Sequence, residues 1–92
     1  MNYVKYIEYT DEELAGARKY ADMFLMYKDE PEWSALCADM AKNKLNFAQI
    51  FHDKACDEIK TAKLPRAMAQ IWEIEEDYYE EEKAIIKRML EL

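Results

Sequence analysis

Turn-forming residues are nearly absent from this chain of 92 residues, which contains one glycine and two prolines. A sheet protein needs such residues at its many turns, whereas alanine, leucine, methionine, glutamate and lysine favour helices. Proline suits the first turn of a helix and pushes the residue before it out of helical geometry. The chain is therefore predicted to be all-α, with breaks at Pro31 and Pro65.

Start and stop signals divide the sequence into three predicted helices in a single domain. In "TDEE", Thr10 can cap a helix while Glu13 reaches back to the cap, so helix 1 is predicted over about 10–29. Helix 2 is predicted over about 31–62 and helix 3 over about 66–91. The tight connections between them predict an up-down-up bundle.

Residues 1–9 leave two interpretations open. Tyr3 and Ile7 continue the apolar stripe of helix 1 toward the N-terminus, which favours a helix that begins before Thr10. The capping motif at Thr10 favours a start at that residue instead. In either case we expect the segment to lie beside the second half of helix 2.

Each predicted helix carries apolar residues at helical spacing, and these stripes define the predicted core. The predicted core residues are Leu14, Ala17, Ala21 and Leu25 of helix 1, Cys37, Ala41, Ala48, Phe51, Ala55, Ile59 and Ala62 of helix 2, and Ile71, Ile74, Tyr78, Ile85, Ile86 and Met89 of helix 3.

The net charge of −7 argues against several classes of partner. Nucleic-acid binding needs a basic face, and an anionic membrane surface repels an acidic protein. No apolar run approaches the roughly 20 residues that span a bilayer, and the start "MNYVKYIEY" lacks the apolar segment of a signal peptide. We therefore expect a cytoplasmic protein that binds neither nucleic acid nor a membrane.

Ionisable side chains fall within the predicted buried stripes. Lys44 and His52 lie on that stripe of helix 2, and Glu75 and Glu82 lie on that of helix 3. Because an unpaired buried charge is costly, we expect these groups to pair, Lys44 with Glu82 and His52 with Glu75. The predicted result is an interior polar layer that fixes the register of the bundle. Extension of Lys44 along the side of the bundle into water is the alternative.

The same side chains also suggest a metal site for iron, manganese or zinc, with His52, Glu75, Glu76 and Glu82 as candidate ligands. Two observations argue against it. Lys44 places a positive charge where the cation would bind, and Glu75 and Glu82 are about 10.5 Å apart along a helix axis, too far to share one ion. The favoured hypothesis is a chain without a metal, a cofactor or a catalytic constellation.

The two cysteines are predicted to be buried free thiols. Cys37 and Cys56 are about 28 Å apart along helix 2, so they cannot form a disulfide within one chain. Cys56 follows His52 by four residues, but no third group is evident that would orient the pair for nucleophilic catalysis.

Tyr20, Met23 and Tyr27 form a second face of helix 1 that points away from Leu14. A partly apolar face on so small a domain predicts a subunit interface. Tyrosine rings lying along the surface with their hydroxyls in water are the alternative. We predict a homodimer in which two copies complete a larger bundle.

The stretch "YTDEELAGARKYADMFLMYKDEPEWSALCADMAKNKLNFAQIFHD" resembles small ferritin-like proteins encoded by phages and prophages of Gram-positive bacteria. The shared features include an "A-x-K-Y-A" stretch, matched here by residues 17–21, and a Leu-x-His-like pair late in helix 2, matched by Phe51 and His52. The resemblance implies a three-helix, ferritin-like half-bundle.

The chain departs from that family's ligand pattern. The family carries Glu-x-x-His where this chain has Lys44 and Phe47, and helix 3 often offers a histidine where Glu75 stands. The resemblance therefore implies a lost metal site, in which the Lys44 ammonium replaces the charge of an ion.

These expectations favour a non-enzymatic ferritin-like scaffold or protein-interaction module of phage or prophage origin. The alternative is a metal-binding or redox protein that uses His52 and the carboxylates of helix 3. A third hypothesis is an acidic mimic whose helix 3 binds a basic host protein.

Overall fold

The computed structural model describes residues 2–91, and within that range the chain forms three α-helices and no strand. They are α1 (Tyr3–Met26), α2 (Pro31–Thr61) and α3 (Arg66–Met89). The molecule measures 51 × 18 × 16 Å. The 31 residues of α2 set this length, because a helix rises about 1.5 Å per residue. The predicted all-α architecture with three helices is confirmed.

The prolines stand at both helix boundaries, as predicted. Pro31 is the first residue of α2 and follows Glu30, whose backbone is non-helical with φ −122° and ψ 86°. Pro65 precedes α3 with φ −56° and ψ 150°. Helix α1 ends at Met26 rather than near residue 29, because the chain turns there and the Glu30 N–H donates to the Tyr27 carbonyl over 2.9 Å.

Of the two interpretations of residues 1–9, the structure shows the one in which the helix begins before Thr10. Helix α1 begins seven residues earlier, at Tyr3, and Thr10 is a buried residue whose hydroxyl donates to the Tyr6 carbonyl over 2.7 Å. The capping motif is overridden by packing, since the first turns of α1 lie on the second half of α2. There the Tyr9 and Phe51 rings lie 5.2 Å apart.

Small residues form the seam between α1 and α2. Ala17 and Ala21 of α1 and Ala41 and Ala48 of α2 have no exposed surface, so the two backbones approach closely. Leu25 is 39% exposed, so its predicted place in the core is wrong. The antiparallel register is regular, because α1–α2 contacts join residues whose numbers add up to 60: Tyr6 with Lys54, Tyr9 with Phe51, Gly16 with Lys44, and Tyr27 with Trp33.

Helix α3 is rotated relative to its predicted orientation. Ile71, Ile74 and Tyr78 were expected in the core but are 51%, 67% and 43% exposed. Tyr79 is buried instead, with 2% exposed, and Ile86 is buried as predicted, with 0% exposed. The physical reason is that α3 carries two apolar stripes. Their residues are offset by one position in the sequence, which is about 100° around the helix. The buried stripe is the one that presents the large ring of Tyr79 to α2.

Candidate functional site

Lys44 lies against α1 and not against α3. Its side chain crosses Gly16, where an added Cβ would lie 3.2 Å from the Lys44 Cδ, and its Nζ is 3.3 Å from Glu13 Oε2. The predicted pairing of Lys44 with Glu82 is therefore wrong. Lys44 sits on the side of α2 that faces α1, and the lone glycine of α1 makes room for its stem.

Glu82 instead pairs with an arginine of α1. Arg18 Nη1 donates to Glu82 Oε1 over 2.8 Å, and the side chain of Glu82 is 17% exposed. The residue numbers differ by 64, as they do for Asp11 and Glu75, which fits α1 and α3 running parallel. Sequence reasoning missed Arg18 because its position depends on how α3 is placed against α1.

Glu75 also turns toward α1, where it forms a hydrogen-bonded carboxyl pair with Asp11. Burial, followed by the nearby charge of Glu75 and this hydrogen bond, raises the pKa of Asp11 to about 6. Asp11, Glu75 and His52 line one cavity of about 10 Å³, room for a single water molecule. The predicted ion pair between His52 and Glu75 is not formed. Among the described residues, the carboxylate oxygen that lies within 4 Å of a His52 ring nitrogen is Asp53 Oδ1, which is 3.9 Å from Nδ1.

The His52 ring is held by aromatic stacking. It lies parallel to the Tyr79 ring, with centroids 3.9 Å apart and planes 8° apart. The Trp72 ring also stacks on it, at 5.7 Å and 19°. Burial lowers the pKa of His52, although the charges of Glu76 and Asp53 act in the opposite direction. The imidazole is therefore neutral at pH 7 and can act as a ligand or as a hydrogen-bond acceptor.

His52 and Cys56 of α2 and Glu76 of α3 form what we term the thiol cluster. The Cys56 Sγ lies 3.8 Å from both ring nitrogens of His52 and 3.7 Å from Glu76 Oε1. All three side chains are half-buried, and their ligand atoms lie within 4.8 Å of one another. Sequence analysis named His52 and Glu76 as candidate metal ligands, but it treated Cys56 as a buried thiol and considered its four-residue spacing from His52 only for nucleophilic catalysis. That spacing was also the available signal for a shared ligand site.

The thiol cluster is poorly suited to nucleophilic catalysis. Burial, followed by the charge of Glu76 and its hydrogen bond with the thiol, raises the pKa of Cys56 to about 11, so the thiol is protonated at neutral pH. Both cysteines are free, as predicted, but only Cys37 is also buried, because Cys56 is half-buried. Of the four predicted metal ligands, only His52 and Glu76 belong to the cluster, because Glu75 and Glu82 contact α1.

A second feature is an apolar groove of about 390 Å³ between α1 and α2, to which α3 contributes no lining residue. Met40, Phe47 and Phe51 supply its apolar wall, and Phe47 is 52% exposed. Phe47 and His52 point in directions about 140° apart around α2, so the groove and α3 lie on different sides of this helix.

The predicted interface residues of α1 border the same side. Tyr27 contacts α2 at Trp33 with ring centroids 6.4 Å apart, and Tyr20 packs partly against the core. Tyr9 contacts Phe51 of the groove wall. We call this surface the open face and define it by Tyr9, Tyr20 and Tyr27 of α1 with Met40, Phe47 and Phe51 of α2. Met23 is half-buried beside it.

Comparisons of the chain with protein-family models, with curated proteins and with solved structures gave no match. Across residues 2–91, none of the helices is both long enough and apolar enough to cross a membrane. The function therefore has to be inferred from the two features above, the thiol cluster and the open face.

Proposed function

We propose that this protein is a non-enzymatic helical interaction module that self-associates through the open face. The observation that carries the proposal is the apolar groove between α1 and α2, whose wall includes Phe47, 52% exposed. Large apolar side chains grouped in a groove are a common property of protein interfaces, whereas single exposed ones are ordinary.

The charge distribution favours a second copy of this chain as the occupant. Two molecules that each carry a net charge of −7 repel each other over most of their surfaces. The groove differs, because its two charged residues, Glu13 and Lys44, are of opposite sign and already 3.3 Å apart. A two-fold interface brings the same patch of both copies together, so Lys44 of each copy can approach Glu13 of the other.

The arrangement of the helices also favours this geometry. Two α1–α2 hairpins that meet through their open faces place four helices around one shared core, with α3 of each copy on the outside. Tyr20 and Tyr27, which were predicted to form the interface together with Met23, belong to the open face. For a domain of this size, such association adds apolar burial that one copy does not supply.

The broader assignment follows from the sequence resemblance. The resemblance supports a more specific form of the proposal. In this form, the protein is a ferritin-like half-bundle that is encoded by a phage or prophage, is completed by a second copy and acts as a scaffold in the cytoplasm. Lys44 supports the lost metal site that the resemblance implies. Its cationic side chain, which packs against Gly16 and pairs with Glu13, stands at the sequence position where the ferritin-like proteins that the chain resembles carry a metal-binding glutamate.

Size-exclusion chromatography with light scattering over a concentration series tests the proposal. We expect the unmodified chain to have the mass of a dimer and Phe47→Glu to have the mass of a monomer, because a charge in the groove cannot be buried without a partner. Ile74→Glu is the matched control: Ile74 is an apolar helical residue, 67% exposed, on α3 and away from the groove.

Circular dichroism is needed to check that both variants remain helical. Tyr20→Glu and Tyr27→Glu extend the test to the α1 side of the open face. A monomer mass for the unmodified chain at every concentration, or dissociation by Ile74→Glu and not by Phe47→Glu, would refute the proposed interface.

A further inference from the structure

The thiol cluster combines three different metal-binding groups at short range. Cys56 Sγ lies 3.8 Å from the His52 ring nitrogens and 3.7 Å from Glu76 Oε1. In a tetrahedral zinc site, with bonds of about 2.3 Å to sulfur and about 2.0 Å to nitrogen and oxygen, a sulfur ligand is about 3.5 Å from its neighbours. The two contacts of the sulfur therefore need to shorten by only a few tenths of an ångström, while the His52 nitrogen and the Glu76 oxygen, which lie within 4.8 Å of each other, need to approach to about 3.3 Å.

The imidazole is held in place beside the thiol. Stacking on Tyr79 at 3.9 Å fixes the plane of the His52 ring. Both ring nitrogens lie 3.8 Å from the Cys56 Sγ, so either of them is within reach of a metal bound at the sulfur.

The ligand types select the class of cation. A cysteine and an imidazole suit zinc and similar transition metals, whereas magnesium and calcium require oxygen ligands. The Cys56 thiol is protonated in the metal-free chain, so the metal displaces its proton to water when the thiolate binds. The nearby ammonium group of Lys83 is engaged elsewhere, 4.8 Å from the Tyr79 ring centre and 3.5 Å from Glu80 Oε2. We infer that His52, Cys56 and Glu76 form a zinc-class metal site with three protein ligands and one position open to water.

The location of the cluster gives the site a structural consequence. Its ligands come from α2 and α3, the two helices that pack least closely against each other. A metal held by His52 and Cys56 on one helix and Glu76 on the other would tie α3 to the hairpin. The site also lies on the side of α2 away from Phe47, so it is independent of the proposed dimer interface.

Titration of the reduced, metal-free full-length chain with Co²⁺ tests this inference, because cobalt replaces zinc and reports its ligands by absorption. We expect saturation at one Co²⁺ per chain, a thiolate-to-cobalt charge-transfer band, and loss of that band when Zn²⁺ is added. Zn²⁺ should also raise the melting temperature by about 4 to 8 °C.

Matched variants locate the site. Cys56→Ala should abolish the charge-transfer band and Cys37→Ala, at the other free cysteine, should retain it. Glu76→Gln should weaken Co²⁺ binding about tenfold or more, while Glu73→Gln, an exposed neighbour on α3, should leave it unchanged. The inference is overturned if the folded chain shows no thiolate band, if the band survives in Cys56→Ala, or if Glu76→Gln binds as tightly as the unmodified chain.

Discussion

The seam between α1 and α2 and the attachment of α3 are built from different kinds of side chain. Fully buried alanines, including Ala17 and Ala48, bring α1 and α2 together. Helix α3 is held by a buried aromatic ring, Tyr79, and by polar contacts such as that between Arg18 and Glu82. The alanines themselves offer no large side chain to remove, and the fully buried Leu14 of α1 is the large side chain in the same core. The position of α3, in contrast, depends on a few large or ionisable groups and should respond to single changes.

Replacement of Tyr79 by alanine should have the largest effect. Tyr79 is 2% exposed and stacks on His52, so its truncation should lower the free energy of unfolding by about 3 to 5 kcal/mol. Urea denaturation measures this loss. The adjacent Tyr78, which is 43% exposed, supplies the control, and Tyr78→Ala should cost less than about 1 kcal/mol. Equal losses of stability at the two positions would contradict an orientation of α3 in which Tyr79 is buried and Tyr78 is exposed.

The carboxyl pair between α1 and α3 should make stability depend on pH. Burial and Glu75 raise the pKa of Asp11 from 3.8 to about 6, so the folded chain binds a proton more tightly than the unfolded chain. The stabilisation from this group is fully present below about pH 4 and is lost as the pH rises through about 6. The effect should be on the order of 1 kcal/mol, since water screens this half-buried pair.

Asp11→Asn provides the test. The amide can donate to Glu75 without repelling it, so at pH 7 the variant should be about 1 kcal/mol more stable than the unmodified chain, with little difference at pH 4. Thermal unfolding at both pH values measures this. The exposed Asp22 of α1 supplies the control, because Asp22→Asn should change stability by less than about 0.5 kcal/mol. A stability gain for Asp11→Asn that is the same at pH 4 and pH 7 would contradict the raised pKa of Asp11.

Gly16→Ala should have the smallest effect and tests how tightly the seam is packed. Alanine is better than glycine in a helix by about 1 kcal/mol, but the new Cβ would lie 3.2 Å from the Lys44 Cδ. Because the lysine stem can shift by a few tenths of an ångström, we expect a net gain of about 0.5 kcal/mol in urea denaturation. Ala15→Gly, at the exposed neighbouring position, should cost about 1 kcal/mol. A clear loss of stability in Gly16→Ala would mean that Lys44 cannot move.

The parts of the fold that local chemistry determines could be predicted from the sequence. Pro31 and Pro65 define helix boundaries wherever the helices pack, and Ala17 and Ala21 of the predicted α1 stripe are buried. The start of helix 1 stayed open at the level of sequence, because the capping motif at Thr10 competes with the packing of the preceding turns on α2, and packing has the larger effect. Ile74 was misjudged because α3 carries a second apolar stripe, and a single helix does not reveal which stripe is buried.

The candidate site could be predicted only in part, for a related reason. His52 and Glu76 were identified as inward or ligand-type residues from their own helices. Their grouping with Cys56 depends on the register between α2 and α3: the observed contact joins Cys56 to Glu76, whereas the register assumed for a short loop placed His52 opposite Glu75. The contact of Lys44 with α1 could not be predicted either, because it depends on the space beside Gly16 on another helix.

The proposed interaction through the open face is tested most directly by nuclear magnetic resonance on a mixture of isotopically labelled and unlabelled copies. Filtered experiments on such a mixture detect contacts between copies only. We expect contacts between the Phe47 and Phe51 rings of one copy and the Met40 methyl group of the other, all of which belong to the groove wall. Contacts between copies confined to Ile71, Ile74 and Tyr78 of α3, or no contacts between copies at all, would contradict the proposal.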